Sequence, residues 1–489
     1  MTATMRFPTL DQRHVVFLVC VVGIFITVFD TSSSIVALPT IAHEFGTDLL
    51  TAQWVIAGNG LTIAALLVPM GRLSDVAGRK RIYVIGALIF AIGALAASWA
   101  PSIYGLIGAR VAVGIGSAMT QATSTAIIVG SFHSSERAKM LGLQLGAVGL
   151  GSIVGPATGG IVVGTAGWRV LFAITAAAML AITLTAQRKL PRRNESPRRE
   201  QPPFDFVGAV LLSSFLVALL LTLTLGPNMG WLAPITLAGE LATVLLMFGF
   251  VTLERRSHAP MLDLKLFRNP DFAFGALGAL VVFMGISAIR FLVPFFLQGV
   301  RGYAAATVGL LIVPAALVTA TIAPFAGRLA DRWGVRLFAN IGLALTTLGF
   351  AVFIGLHVTT PVWVIVAGLM VTSFGMAIFG AANSASIMNA VDDKAHGATA
   401  GFVNLCRNSG NVIGVTFATV VVTLTMAASG YPASLRAIDP SADPGVFTAF
   451  AAGFDRATTA LTAIALVVLT IVVGWSWRAH VRSAAVTPP

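Results

Sequence analysis

The chain of 489 residues is 57% hydrophobic and only 10% charged, with a mean hydropathy of +0.89. Soluble domains carry about a quarter charged residues, so this composition excludes a soluble globular protein and predicts an all-α integral membrane one. The net charge of +12 raises nucleic-acid binding as a question, which the placement of the basic residues decides.

A helix that crosses the hydrocarbon core needs roughly 20 mostly apolar residues. In chain order such runs fall at 15–37, 50–70, 82–100, 104–130, 139–164, 168–187, 206–226, 233–253, 272–297, 305–327, 337–357, 361–390, 398–427 and 457–477. Fourteen spans with the N-terminus inside put about 24 of the 31 Lys and Arg in cytoplasmic segments, leaving only Arg169, Arg301, Arg436 and Arg456 outside. The basic charge therefore orients the chain, with both termini cytoplasmic, and a nucleic-acid partner is not expected. The first apolar run has a basic flank, Arg6 and Arg13, but no small-residue cleavage site before a polar region, so it reads as a retained span. Cys20 and Cys406 both fall within spans and form no metal-ligand spacing.

The first span, "FITVFDTSSSIVALP", places Asp30 in the membrane, with Thr27, Ser33 and Ser34 at helical spacing beside it. The second carries Asn59 in "WVIAGNGL" and is followed by "GRLSDVAGRKR". There Gly71 and Gly78 permit a tight reversal, and Asp75 stands among Arg72, Arg79, Lys80 and Arg81. Charge-assisted bonds of that kind can form in one arrangement of helices and break in another, as a latch does. The fourth span, "LIGARVAVGIGSA", holds Arg110. Asp30 lies about seven residues, roughly 10 Å, from the outer end of its span, and Arg110 about six, roughly 9 Å, so the two can meet at one level.

The fifth span carries "GSIVGPATGG". Gly151, Gly155 and Gly159 line one face for close helix approach, Pro156 favours a bend, and Gly160 follows. The segment "RKLPRRNESPRREQPPFD", 188–205, is a proline-rich cytoplasmic linker whose basic residues either anchor topology or bind anionic lipid headgroups. Glu240 lies in the two-span segment that follows, where a lipid-facing or packing role is favoured over coupling. In the ninth span Arg290 lies near the outer end, within snorkelling reach of water. The twelfth span offers Asn383, Ser384, Ser386 and Asn389. In the thirteenth, "GFVNLCRNSGNVIG", Asn404, Asn408 and Asn411 share a face beside Arg407. These polar faces either line a central cavity or bond neighbouring helices. An ionisable residue at a helix centre costs about 2.5–3.5 kcal/mol, so each of Asp30, Arg110, Glu240, Arg290 and Arg407 needs a partner or a pathway role.

"GRLSDVAGRKR" recurs as "GRLADRWGVRL", pairing Gly71, Arg72, Asp75 and Gly78 with Gly327, Arg328, Asp331 and Gly334. Removing 188–253 from the separation leaves about 32 residues per span, a helix and its short loop. The chain divides into a six-helix bundle at 1–187, a linker at 188–205, two inserted helices at 206–253, and a second six-helix bundle with a cytoplasmic tail at 254–489. Parallel repeats of this kind occur in transporters whose halves rock about a central site.

On these motifs the sequence resembles the major facilitator superfamily and, within it, the fourteen-span drug:proton antiporters. The resemblance implies a multi-pass protein of the cell membrane and a proton-coupled exporter of small amphipathic or cationic molecules. It further implies coupling through Asp30 and Arg110, latch loops at the repeated motif, and an antiporter-type helix at Gly151–Gly160. Thr27, Ser34, Asn59, Asn383, Asn404, Arg407, Asn408 and Asn411 are the candidate cavity-lining residues. The sequence departs from the family pattern at Ile35, Asn59 and Val113, so substrate preference is not carried over. A dedicated transporter of a siderophore, lipid, sugar or amino acid is the alternative, and a non-transporting sensor a remote one. No phosphate loop or nucleophile elbow is present, and neither enzymatic activity, a cofactor nor a metal is expected. The expected partners are a small-molecule substrate, protons and the bilayer. A monomer is the simplest expectation, with oligomeric state left open.

Overall fold

Single glycines break the chain into long helices. Gly78, Gly167, Gly230 and Gly334 all have positive φ, between 87° and 105°, a backbone region open to a residue without Cβ. Side-chain caps start other helices. Ser102 Oγ accepts from Gly105 N at 3.2 Å, Asp205 Oδ1 from Gly208 N at 2.7 Å, and Asn269 Oδ1 from Asp271 N at 3.0 Å.

The computed structural model describes residues 10–132, 134–190, 205–230, 233–256, 264–389, 396–431 and 444–486. The helices are α1 (Leu10–Phe45), a single turn α2 (Leu49–Ala52), α3 (Trp54–Ala77), α4 (Arg79–Ser98), α5 (Ile103–Ser131), α6 (Ser134–Ala166), α7 (Trp168–Lys189), α8 (Phe206–Met229), α9 (Pro234–Arg256), α10 (Pro270–Phe295), α11 (Ala305–Trp333), α12 (Val335–Ala351), α13 (Val362–Asn389), α14 (His396–Ala428) and α15 (Pro444–Val486). A π-helical turn, Phe296–Val300, extends α10. No strand occurs among the described residues, as the lipid-solvent argument requires, because a helix satisfies its own backbone.

By length and composition 13 of these helices suit a membrane span, while the apolar α12, at 17 residues, is shorter. The eleventh run therefore ends as a helix at Ala351 and continues as turns, where the sequence suggested helix to 357. The last run begins earlier than expected. α15 starts at Pro444 and includes Asp455 and Arg456, because Asp455 Oδ1 accepts from Gly355 N at 2.6 Å and is thereby accommodated within a helix. Of the linker, 191–204 lie outside the described residues, as does Arg436.

The packing repeats. α1 pairs with α6, α3 and α4 with α5, and α4 with α7; correspondingly α10 pairs with α14, α11 and α12 with α13, and α12 with α15. The two sets meet along α6–α11 and α3–α14. At the first seam a Cβ on Gly160 would lie 2.5 Å from Ala305 O, and one on Gly309 2.3 Å from Pro156 O, so only glycine admits this approach. The α8–α9 hairpin covers the second seam. Leu212, Leu216 and Leu220 pack with Leu61, Ala64, Ala65, Leu405 and Val412, and Ser213 Oγ donates to Ala65 O at 2.9 Å. α9 exposes Leu241, Val244, Leu245 and Phe248, the face expected toward lipid.

At the end of the molecule where α1 finishes, the two sets are tied together. Gln298 Nε2 donates to Val36 O at 3.0 Å, and Thr40 Oγ1 reaches Gln298 Oε1 at 3.4 Å. One apolar core there joins Ala37, Leu38 and Ile41 to Phe291, Phe295 and Val308.

Candidate functional site

Asp30, in α1, is 1% exposed, and Arg110, in α5, is fully buried. Arg110 Nη1 donates to Asp30 Oδ2 at 2.6 Å, while its Nε donates to Val55 O of α3 at 3.3 Å. Thr175 Oγ1 of α7 lies 3.2 Å from Asp30 Oδ1 and 3.0 Å from Phe172 O, sharing one proton between two acceptors. The Phe172 ring sits 5.3 Å from the guanidinium carbon, where a cation gains from the ring face. Four helices thus meet at one ion pair, and the two charges placed at one depth by counting residues are in contact.

The pair is electrically neutral as a unit and enclosed by protein. Removing one member of such a pair leaves an uncompensated buried charge at about 3–5 kcal/mol. A proton added to Asp30 does the same to Arg110, so proton uptake calls for rearrangement of α1 against α5 or for water. Arg110 Nη2, both amide atoms of the buried Gln53 and Asn59 Oδ1 have no hydrogen-bond partner among the described residues. These open valences lie on the helices that hold the pair, α5 and α3 with its preceding turn.

Gly151, Gly155 and Gly159 of α6 form the face that α1 packs against. A Cβ on Gly151 would meet Phe25 O at 3.0 Å, one on Gly155 Ser32 Cβ at 2.8 Å, and one on Gly159 Ser33 Cβ at 2.6 Å. Gly160 and Pro156 instead touch α11 of the other set. One segment therefore contacts both the helix bearing Asp30 and the opposite half.

At the first repeated motif, Asp75 pairs with Arg79 one turn on, at 2.9 Å, and Arg79 Nη1 donates to Ala126 O at 3.0 Å. The reversal is made by Gly78 alone. Gly71 lies inside α3 and Gly327 inside α11, so neither is a turn residue as expected; Gly334 repeats Gly78. The Arg328 and Asp331 side chains lie outside the described residues, and Arg72 is half-buried.

The residues expected to line a cavity have the following surroundings in this arrangement. Thr27 and Ser34 are buried and donate to Ile24 O and Asp30 O of their own helix, and Asn59 is 1% exposed. Asn408 is buried and donates to Asn404 O at 2.9 Å. Asn383 donates to Gly275 O at 3.0 Å and lines a narrow cleft among α10, α12, α13 and α15, inside one bundle rather than between the two. Apart from Asn59, whose Oδ1 is left open, tight helix packing satisfies these groups locally, which spacing alone does not distinguish from solvent exposure. Asn404, Arg407 and Asn411 remain half-exposed, with Arg407 5.8 Å from the Phe283 ring and Ser287 Oγ donating to Asn411 O at 2.9 Å. Glu240 is half-exposed on α9. No cluster of metal-ligating residues occurs among the described residues.

Sequence reasoning missed Thr175, Phe172 and Val55 around Asp30, and Gln298. A threonine in an alanine-rich helix and a backbone carbonyl carry no signal of their own. Gln298 alone had one, as an amide amid the apolar end of its span. It also missed Glu44, which accepts from Trp168 Nε1 at 2.5 Å and pairs with Arg169, tying α1 to α7.

Residues 20–415 match the family model described as Major Facilitator Superfamily. The chain belongs to the major facilitator superfamily. This member is 32% identical over 423 residues to the multidrug resistance protein Stp of Mycobacterium tuberculosis, covering 86% of this chain and 78% of that protein. It is 27% identical over 414 residues to the riboflavin transporter RibZ of Clostridioides difficile, covering 83% and 88%. Its fold is similar to that of an inward-facing, unoccupied bacterial homologue of the human lysosomal transporter Spinster. The TM-score is 0.70 at 17% identity, covering 95% of this chain and 97% of that one. As a major facilitator it is a multi-pass membrane transporter, and its similarity to named efflux proteins agrees with the motifs read above.

Proposed function

We propose that the protein is a proton-coupled exporter of small amphipathic molecules, working by alternating access between halves at 1–187 and 254–489. The observation that carries this reading is the Asp30–Arg110 pair, neutral, buried, and held between α5 and α1, the helix that packs on the α6 glycine face. Protonation of Asp30 frees Arg110 and favours an arrangement in which water or other groups compensate the guanidinium. The α6 segment, touching α1 on one side and α11 on the other, passes a shift of α1 to the seam between the halves. With both termini cytoplasmic, the end tied by Gln298 faces outward, and the arrangement is closed outside, ready to load from the cytoplasm. Similarity to a multidrug resistance protein supports the export direction and a broad substrate range. One charge crossing 100 mV supplies about 2.3 kcal/mol. At about 1.4 kcal/mol per tenfold, that sustains roughly a fifty-fold gradient without ATP.

A dedicated substrate is the second reading, favoured by similarity to a riboflavin transporter. Efflux of a panel of cationic dyes, neutral amphipaths and riboflavin from proteoliposomes separates the two. In the same vesicles, at matched reconstituted protein, Asp30→Asn is expected to abolish stimulation of efflux by a pH gradient, with a yield lowered by the uncompensated Arg110. Undiminished stimulation in that variant rules out Asp30 as the coupling acid.

A further inference from the structure

Two nitrogens of Arg110 have fixed partners and the third is open. Nη1 donates to Asp30 Oδ2 at 2.6 Å and Nε to Val55 O at 3.3 Å, whereas Nη2 is enclosed with no acceptor among the described residues. An acceptor in the same state lies on α3. Asn59 is 1% exposed, and its Oδ1 is buried without a donor among the described residues. A buried donor and a buried acceptor left open each forfeit a hydrogen bond, and a bond between them satisfies both.

Two contacts bring them near each other. Val55 O accepts from Arg110 Nε and, within α3, from the Asn59 backbone N–H one turn on, which puts that nitrogen within roughly 6 Å of Nε. Asn59 Oδ1 also lies 3.2 Å from where a Cβ on Gly114 would stand, and Gly114 follows Arg110 by one turn on the same face of α5. Gln53, whose amide is open too, stands one and two turns before Ala57 and Gly60, the face packed on Val412 of α14, and so looks away from α5.

The second bundle lacks all three polar groups together. Gly151 on Phe25 and Gly155 on Phe29 are repeated by Gly410 on Leu280 and Gly414 on Met284, a register that sets Gly285 opposite Asp30. Gly116 on Phe90 and Gly375 on Thr346 set Leu369 opposite Arg110, and the repeated motif, Gly71 with Gly327, sets Ala315 opposite Asn59. Where the acid and the guanidinium are missing, the amide is missing as well.

We propose that Asn59 is the positioning residue that receives Arg110 when Asp30 takes up a proton. The inference rests on the coupling role proposed for Asp30. The proton adds to the Asp30 carboxylate, the guanidinium keeps its charge, and Nη2 turns to donate to Asn59 Oδ1. With Asp30 ionised, the 2.6 Å bond from Nη1 fixes the guanidinium plane and leaves Asn59 Oδ1 open. Arg110 is the one charge in contact with Asp30 among the described residues. Around it α6 presents Gly155 and Gly159 and α7 Thr175, while Arg290 of α10 faces Leu369 and Met376 of α13. Other ionisable groups on helices packed against α1, such as Arg72, Asp75, Arg169, Arg188, Asp271 and Arg332, stand near the helix ends.

The test is a double-mutant cycle on the purified full-length protein, read by chemical unfolding in detergent. Asp30→Asn stands in for the protonated acid, and Asn59→Leu removes the acceptor at similar size. Asn59→Leu is expected to lower the folding equilibrium constant about tenfold more in the Asp30→Asn background than in the unaltered one, the scale of a hydrogen bond to a charged group. Gln53→Leu in the same cycle is expected to be additive. The second readout is the pH profile of efflux in proteoliposomes. There Asn59→Leu is expected to move the half-maximal pH about one unit lower, because it weakens only the protonated arrangement. Should the double variant not fold, that profile decides. An additive cycle for Asn59→Leu, equal coupling by Gln53→Leu, or an unmoved profile overturns the proposal. Undiminished pH-gradient stimulation in Asp30→Asn overturns the coupling reading and this one with it, whereas an additive cycle with that stimulation lost overturns this one alone.

Discussion

Gly159→Ala adds one methyl group where α6 crosses α1, and the structure sets the size of the clash. The new Cβ would stand 2.6 Å from Ser33 Cβ and 3.0 Å from Ser33 Cα. Carbon atoms rest at about 3.5–4.0 Å, so the helices must separate by roughly 1 Å. No rotamer offers relief, because one of the clashing atoms is backbone. Overpacking of this kind costs about 1–3 kcal/mol. Ser33 is within one turn of Asp30, so the same displacement strains the 2.6 Å bond to Arg110. Gly149→Ala on the same helix is the control. No heavy atom lies within 4 Å of its Cβ position, and the exchange is expected to be neutral or to stabilise by about 0.4–1 kcal/mol. Thermal unfolding in detergent and pH-gradient-driven efflux in proteoliposomes are measured for both. Gly159→Ala is expected to lower the midpoint and slow efflux, and Gly149→Ala to do neither. Equal behaviour of the two variants refutes the packing argument and the route it gives from Asp30 to α6.

Arg110→Gln leaves Asp30 without its cation and is expected to lower stability by about 3–5 kcal/mol. The double variant Asp30→Asn with Arg110→Gln should recover most of that loss in a double-mutant cycle by chemical unfolding, yet give efflux that ignores the pH gradient. Gln298→Ala removes both links between α1 and the end of α10, at about 1 kcal/mol per hydrogen bond. It is expected to raise the rate at which a thiol reagent labels a cysteine placed at Leu38, now 0% exposed. Asp75→Asn should change unfolding by less than about 1 kcal/mol, because the pair with Arg79 is nearly half exposed, while transport slows. A matching fall in both readouts contradicts a latch there.

The spans were legible because a bilayer demands long apolar runs, and that demand is written residue by residue in the sequence. The exceptions follow from the same physics. Asp455 and Arg456 broke the run that became α15, although a backbone donor at Gly355 accommodates the acid inside a helix. Asp30 and Arg110 could be matched because depth along a helix follows from counting. The cavity lining was less legible. A polar stripe facing a protein neighbour and one facing water have the same spacing, and Thr27, Ser34 and Asn383 proved to be bonded locally or within one bundle. Thr175, which completes the setting of Asp30, becomes visible only once α7 is placed beside α1.

The two halves repeat their helix pairings but not their chemistry. Small residues preserve the pairings, as Gly151 and Gly155 do for α6 and Gly410 and Gly414 for α14. The side chains between those contacts diverge. Tyr83 fills the first bundle and donates to Val19 O at 2.9 Å, whereas the matching Ala339 leaves the cleft lined by Asn340 and Asn383. Asp30 and Arg110 give way to Gly285 and Leu369. Close backbone seams allow the halves to move as paired bodies, because glycine contacts slide without interlocking side chains. Divergent interiors then give the two bodies different work. The first holds a neutral pair that a proton can unbalance, and the second holds Arg290 and Arg407 without a carboxylate partner among the described residues.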